Sequence, residues 1–315
     1  MGVVSPLFTR DSDMKLFVLK ILAFIVFSAL VLAGLGLFMF YLEKSAYYKG
    51  LQLKPTDKYV VVGDSRSKQN INPELTKGLT NRSLGGSPWC VWFARMKDLM
   101  RLNDDGTKRV FVVEIYPRVL ADARLHALRK CDYEKALLWI LHNDLHEKIR
   151  FKNLYLKWFQ NEFPARAVLA LRSLLSGNPY PGFLDGGFGK PGQAGGYSPD
   201  ELHRQSDEQE VLLADFALSD EEREELRAMA GEIREFGWDI VFVTFPTFPD
   251  PRARERDARF KTDMQEFCGE INVKYINLSF LGQDERLWLD CIHERLSGSE
   301  DVWRAFAREF NALIK

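Results

Sequence analysis

Lys58-Tyr59-Val60-Val61-Val62-Gly63-Asp64-Ser65-Arg66-Ser67 is a β-branched run that stops at a glycine and turns on a serine. Its unbroken apolar character predicts a strand buried on both faces, as in a parallel sheet. Runs of the same kind recur at Arg109-Val110-Phe111-Val112-Val113-Glu114-Ile115 and at Asp239-Ile240-Val241-Phe242-Val243-Thr244-Phe245, the latter ended by Pro246. A weaker one is Val273-Lys274-Tyr275-Ile276-Asn277-Leu278. A helical stretch at 89–102 separates the first two, and residues 81–87 between them form a polar, glycine-bearing loop. Before the third strand, Ser219 and Glu222 make a capping box, acidic residues fill the first turn and Gly237 closes the helix. A last amphipathic helix is expected over 301–313, with Val302, Phe306, Phe310 and Leu313 on one face. Strands alternating with helices predict an α/β fold, a three-layer αβα sandwich with a mostly parallel sheet. Sites in such sheets form past the carboxyl ends of the strands.

Ser65 stands at such an end. Far along the chain, Trp288-Leu289-Asp290-Cys291-Ile292-His293 puts a carboxylate and an imidazole on one turn. A serine hydroxyl is a weak nucleophile until a base takes its proton, and a histidine oriented by an aspartate is suited to that task near neutrality. Ser65, Asp290 and His293 are the candidate triad, in the chain order Ser, Asp, His. Asp64 is expected to brace the turn by bonding the backbone. Ser67 is a competing nucleophile set two residues too late. Arg66 and Arg118 can hold an anionic sugar or carboxylate through bidentate pairs, or can be solvated surface arginines.

The chain of 315 residues carries a formal net charge of −1, so no basic surface calls for nucleic acid. Residues 21–42 hold no charged side chain and only Ser28 is strongly polar; roughly 22 helical residues cross the hydrocarbon of a bilayer. Leu16–Leu19 can extend the span with Lys20 snorkelling. A cleaved signal peptide needs a shorter apolar stretch and small residues at its end, whereas this one ends in Phe38-Met39-Phe40-Tyr41-Leu42-Glu43. Arg10, Lys15 and Lys20 on one side face Lys44, Lys49, Lys54 and Lys58 on the other, so positive charge does not fix the orientation. The expected organisation is a tail at 1–15, an anchor at 16–42, a linker at 43–57 and a domain at 58–315 with an insertion at about 119–215. The insertion holds an aromatic-rich helical stretch, 136–163, and a Gly/Pro-rich loop, 177–199, either packing plus a connection or a lid.

Cys90, Cys131, Cys268 and Cys291 allow one or two disulfides or four reduced thiols. Metal-finger spacings are absent, and His142 and His146 lack an intervening His-Glu-x-x-His glutamate; no cofactor or metal is expected. His126 and His203, with that pair, are expected at the surface or on the lid.

These residues resemble the SGNH (GDSL-like) hydrolase superfamily. Gly63-Asp64-Ser65 matches its first block, which carries the nucleophile. Asn81 with Gly86 is similar to its second, whose glycine amide helps form the oxyanion hole. Asp290-x-x-His293 matches its last. The resemblance covers about residues 58–310. Its third block, Gly-x-Asn-Asp, is absent here: the second strand runs into Glu114-Ile115-Tyr116-Pro117-Arg118, so one side-chain oxyanion donor is missing or replaced. The membrane-anchored, divergent members resemble the chain best, namely the alginate O-acetylation proteins and the D-alanyl transfer protein of teichoic acids. The resemblance implies Ser65 as nucleophile, His293 as base, Asp290 as its orienter, and the amides of Ser65 and Gly86 as oxyanion donors. It implies an esterase or O-acyltransferase acting on a cell-surface polysaccharide. Such a protein would sit in the inner (cytoplasmic) membrane with its domain outside, beside a multi-span membrane acyltransferase. An inactive scaffold or glycan-binding component, and a lipid esterase, are the alternatives.

Overall fold

The computed structural model of the chain describes residues 9–84, 89–117, 119–120, 163–176, 197–213, 216–290 and 293–314. Five strands form one all-parallel sheet: β1 (Tyr59–Val62), β2 (Leu79–Asn81), β3 (Val110–Glu114), β4 (Asp239–Thr244) and β5 (Lys274–Asn277). Their order, β2-β1-β3-β4-β5, reverses direction between β1 and β3. A crevice opens past the strand ends at such a switch point.

Eight helices are described: α1 (Thr9–Leu51), α2 (Ser65–Asn70), α3 (Trp89–Leu102), α4 (Phe163–Ser176), α5 (Pro199–Leu213), α6 (Asp220–Glu235), α7 (Pro251–Glu270) and α8 (Leu296–Leu313). The strands bury alternate residues in two clusters, as a sheet covered on both faces requires. Val60, Val62, Phe111, Val113, Ile240 and Phe242 join one cluster with residues of α3, α6 and α7. Val61, Val112, Val241, Val243 and Ile276 join the other, with Val302, Phe306 and Phe310 of α8. The capping box at Ser219 and Glu222 is formed, and Gly237 closes α6 with φ of 90°.

Four features differ from the sequence reading. β2 starts before the expected polar loop; Leu79-Thr80-Asn81 is too short and mixed to show a strand period, and pairing with β1 forms it. α7 was not expected, although Asp250 followed by Pro251 at the first helical position marks its start. α8 begins at Leu296 rather than 301, since Gly298 fits where an added Cβ would stand 3.1 Å from the Leu287 Cβ. The fourth concerns the linker.

α1 is the one described helix long and apolar enough to cross a membrane. It does not stop at Leu42. Residues 43–51, expected as linker, continue the helix into the domain core, with Tyr47 and Leu51 fully buried. The Tyr47 hydroxyl donates to Asp98 Oδ2 at 2.8 Å, and Asn103 Nδ2 donates to the Leu51 carbonyl at 2.9 Å. The apolar cluster outcompetes the flexible connection that the polar side chains of this stretch suggested. Cys268 is a free, buried thiol, pushed up to about 12 by that burial. Two disulfides are therefore excluded. Cys131, Cys291, His126, His142, His146 and most of the insertion lie outside the described residues, as does the side chain of Cys90.

Candidate active site

β1 delivers its chain to Gly63, where the backbone runs against the next helix. A Cβ on Gly63 would stand 2.2 Å from Ser67 Oγ and 3.1 Å from Glu114 Cβ, so the turn needs glycine. Asp64 caps α2, its Oδ1 accepting from the Arg66 amide at 2.7 Å. Ser67 N donates to Glu114 Oε2 at 3.0 Å, and Lys68 N to the Asp64 carbonyl at 3.0 Å. The remaining first-turn amide is that of Ser65 itself, one of the orphan donors of a helix start.

The late turn is a tight one. Leu289 N donates to the His293 carbonyl at 2.8 Å, and Trp288 pairs with Glu294 across an antiparallel bridge. Trp288 is buried and its Nε1 donates to the Gly282 carbonyl at 2.8 Å. Asp290 Oδ1 accepts the His293 amide at 2.8 Å, which fixes the carboxylate against the ring.

These two segments meet. Ser65 Oγ lies 2.7 Å from His293 Nε2, and His293 Nδ1 lies 2.9 Å from Asp290 Oδ2. With Nδ1–H donated to Asp290, Nε2 is left to accept the serine proton. The side chains of His293 and Asp290 keep 22% and 27% of their surface open, so the array is accessible and not a core network.

The other candidates fall differently. Arg66 is not at the surface: it is 2% exposed. Its Nη2 donates to the carbonyls of Phe245 and Pro246 at 2.8 and 2.7 Å, and its Nε stands 3.4 Å from Glu114 Oε1. The guanidinium also lies 4.2 Å from the centre of the Tyr116 ring. It braces the ends of β3 and β4 from inside, which leaves it unable to receive a substrate carboxylate. Ser67 is fully buried and donates to Glu114 Oε2 at 2.6 Å, so it cannot meet a substrate. Asn81 is consumed by the backbone: its Nδ2 donates to the carbonyls of Ser67 and Ile71 at 2.8 and 3.0 Å. His203 pairs with Glu285 at 3.2 Å. Gly86 and Arg118 lie outside the described residues.

Beneath Ser65 sits a polar block that the sequence reading missed. Glu114 is fully buried, and burial followed by the neighbouring Asp64 charge holds its carboxyl well above the usual range, against the pull of Arg66. Burial would lower the Arg66 guanidinium, yet Glu114, Tyr116 and Asp64 raise it. The Tyr116 hydroxyl donates to Asp64 Oδ2 at 2.7 Å and is itself raised by burial and by Asp64. Tyr116, in the stretch past β3 that has no third-block asparagine, is turned to Asp64. A glutamate closing an otherwise apolar strand was the signal for this block. The buried Glu294, next to His293, had none.

Comparison with protein-family models finds no match, and comparison with curated proteins finds none either.

Proposed function

We propose that the chain is a serine acyl esterase or O-acyltransferase of SGNH-like architecture, a three-layer, flavodoxin-like αβα domain held to a membrane by α1. The observation that carries the proposal is the continuous array Ser65 Oγ–His293 Nε2–Asp290 Oδ2, at 2.7 and 2.9 Å, past the end of β1. His293 takes the Ser65 proton as Oγ attacks an acyl carbonyl, Asp290 holds the tautomer and stabilises the imidazolium, and His293 returns the proton to the leaving alkoxide. Water or an acceptor hydroxyl then releases the acyl group from Ser65 by the same base. The Ser65 amide, with that of Gly86, receives the oxyanion; one such donor is typically worth about 10²–10³ in rate. The chemistry requires no metal or cofactor.

The resemblance of the Gly63-Asp64-Ser65, Asn81/Gly86 and Asp290/His293 motifs to the anchored envelope enzymes favours a cell-surface polysaccharide as the acylated substrate. It also favours an extracytoplasmic domain on the inner membrane and a multi-span acyltransferase as partner. Arg118 remains the candidate for an anionic sugar; Arg66 is withdrawn by its burial.

The test is covalent labelling of the full chain in detergent by a fluorophosphonate, with Ser65→Ala and His293→Ala beside it. Labelling of the wild type alone is expected. A folded wild type that stays unlabelled, alone and with membrane extract added, refutes the enzyme and leaves an inactive scaffold of the same fold.

A further inference from the structure

α4 carries an apolar face that stands exposed. α1 contacts α4, and the residues of α1 from Met14 to Gly34 are exposed, Ser28 being half-buried. Tyr47 and Leu51, further on, are tied to α3 by Asp98 and Asn103. Met39 and Ala170 are both buried and share one apolar cluster with Leu35, Leu42 and Ala167. α4 therefore sits level with the last turns of the apolar stretch, which ends at Leu42.

Turned away from that cluster are Val168, Leu171 and Leu175, 50%, 51% and 87% exposed. At about 100° per residue these three fall within an arc of about 60°. Arg166 and Arg172 are the only charged residues in the helix's sequence, and Arg172 is exposed. An apolar stripe with basic residues and no acidic ones is the pattern of a helix lying in the headgroup boundary. In water the same stripe is an aggregation liability.

We propose that α4 lies in the membrane interface beside the emerging α1, its Val168–Leu171–Leu175 face contacting lipid acyl chains and Arg172 reaching anionic headgroups. This rests on reading α1 as a membrane span. The occupant is lipid rather than another protein, because α4 packs with Leu35, Met39 and Leu42, where the exposed apolar stretch of α1 ends.

The test places a photo-reactive benzoylphenylalanine at one site at a time in the full chain: Leu175, Ile25 in α1, and Arg308 on α8. Each variant is reconstituted in phosphatidylethanolamine–phosphatidylglycerol vesicles, irradiated, and its peptides weighed by mass spectrometry. Lipid adducts at 25 and 175 and their loss at 308 are expected. Adducts at 25 without adducts at 175 overturn the proposal while leaving the span intact. Absence at both overturns the span and the proposal together. A chain-to-chain adduct at 175 overturns it in favour of a second copy on this face.

Discussion

Replacing Glu294 by glutamine should make the domain more stable as pH rises. Glu294 is 1% exposed and neither carboxylate oxygen has a hydrogen-bond partner among the described residues. Its Oε1 packs so tightly on Gly282 that a Cβ there would stand 2.7 Å away. Burial pushes its carboxyl up to about 7, Arg66 offsets part of this and Asp301 adds to it. A carboxyl of ordinary pKa 4.5 in the unfolded chain, and about 7 when folded, binds its proton more tightly in the native state. The unfolded state therefore holds fewer protons between these values. Stability from this group is complete below about 4.5, falls as pH rises and is gone above about 7. The gap corresponds to about 3 kcal/mol. Glutamine keeps the shape and cannot ionise. At pH 8 the variant should exceed the wild type by up to about 3 kcal/mol, or roughly 6–12 °C in Tm for a domain of this size. Near pH 4.5 the two should converge.

The assay is thermal unfolding of the full chain and of Glu294→Gln, in one detergent, from pH 4.5 to 8. Every other titrating group is common to both proteins, so the difference between the two curves isolates Glu294. Parallel curves would refute the reasoning: Glu294 would then be ionised, or solvated, in the native state across the whole range. A widening gap with the opposite sign would mean that ionised Glu294 is held by Arg66 more strongly than burial opposes it.

Arg66→Met should lower stability by about 1–3 kcal/mol in urea unfolding, because the buried carbonyls of Phe245 and Pro246 lose their donor. Gly63→Ala should cost about 1–3 kcal/mol in thermal unfolding and slow fluorophosphonate labelling, because the new Cβ meets Ser67, which Glu114 pins. Asp290→Asn should leave the fold intact and slow labelling of Ser65 by on the order of 10⁴, since an amide donor selects the wrong imidazole tautomer.

The parts of the fold legible in the sequence were those with a local physical signature. β1, β3 and β4 are apolar on both faces because parallel strands are covered on both faces, and the Ser219–Glu222 box marks α6 by chemistry confined to four residues. The triad residues were legible as types at strand ends and turns, but their 2.7 Å contact joins residues of distant segments, which no local pattern encodes. Arg66 was misread for the same reason. It was expected to hold an anion or to be solvated, while its partners are the carbonyls of Phe245 and Pro246, just past the end of β4. β2 was illegible because three mixed residues have no period; pairing with β1 makes it a strand.

The helix that replaces the expected linker changes how the site is delivered. A flexible tether over residues 43–57 would let the domain roam by roughly 20 Å. Instead residues 43–51 rise about 13 Å as helix and end in the core at Leu51, beside Asn103. Asn103 Nδ2 also donates to the Leu99 carbonyl and its Oδ1 accepts from the Leu53 amide, so one side chain locks the end of α1 to α3 and to the chain that leads into β1. β1 ends at Val62, and only Gly63-Asp64 separates it from Ser65. From α1 to the nucleophile, then, the path is helix, one hydrogen-bonded corner and strand. Height and orientation of Ser65 relative to α1 are set by packing. Replacing Asn103 by leucine should free that corner and lower Tm, while a glycine-rich insertion after Leu51 should leave labelling by a small soluble probe unchanged and slow only reactions with substrate held at the membrane.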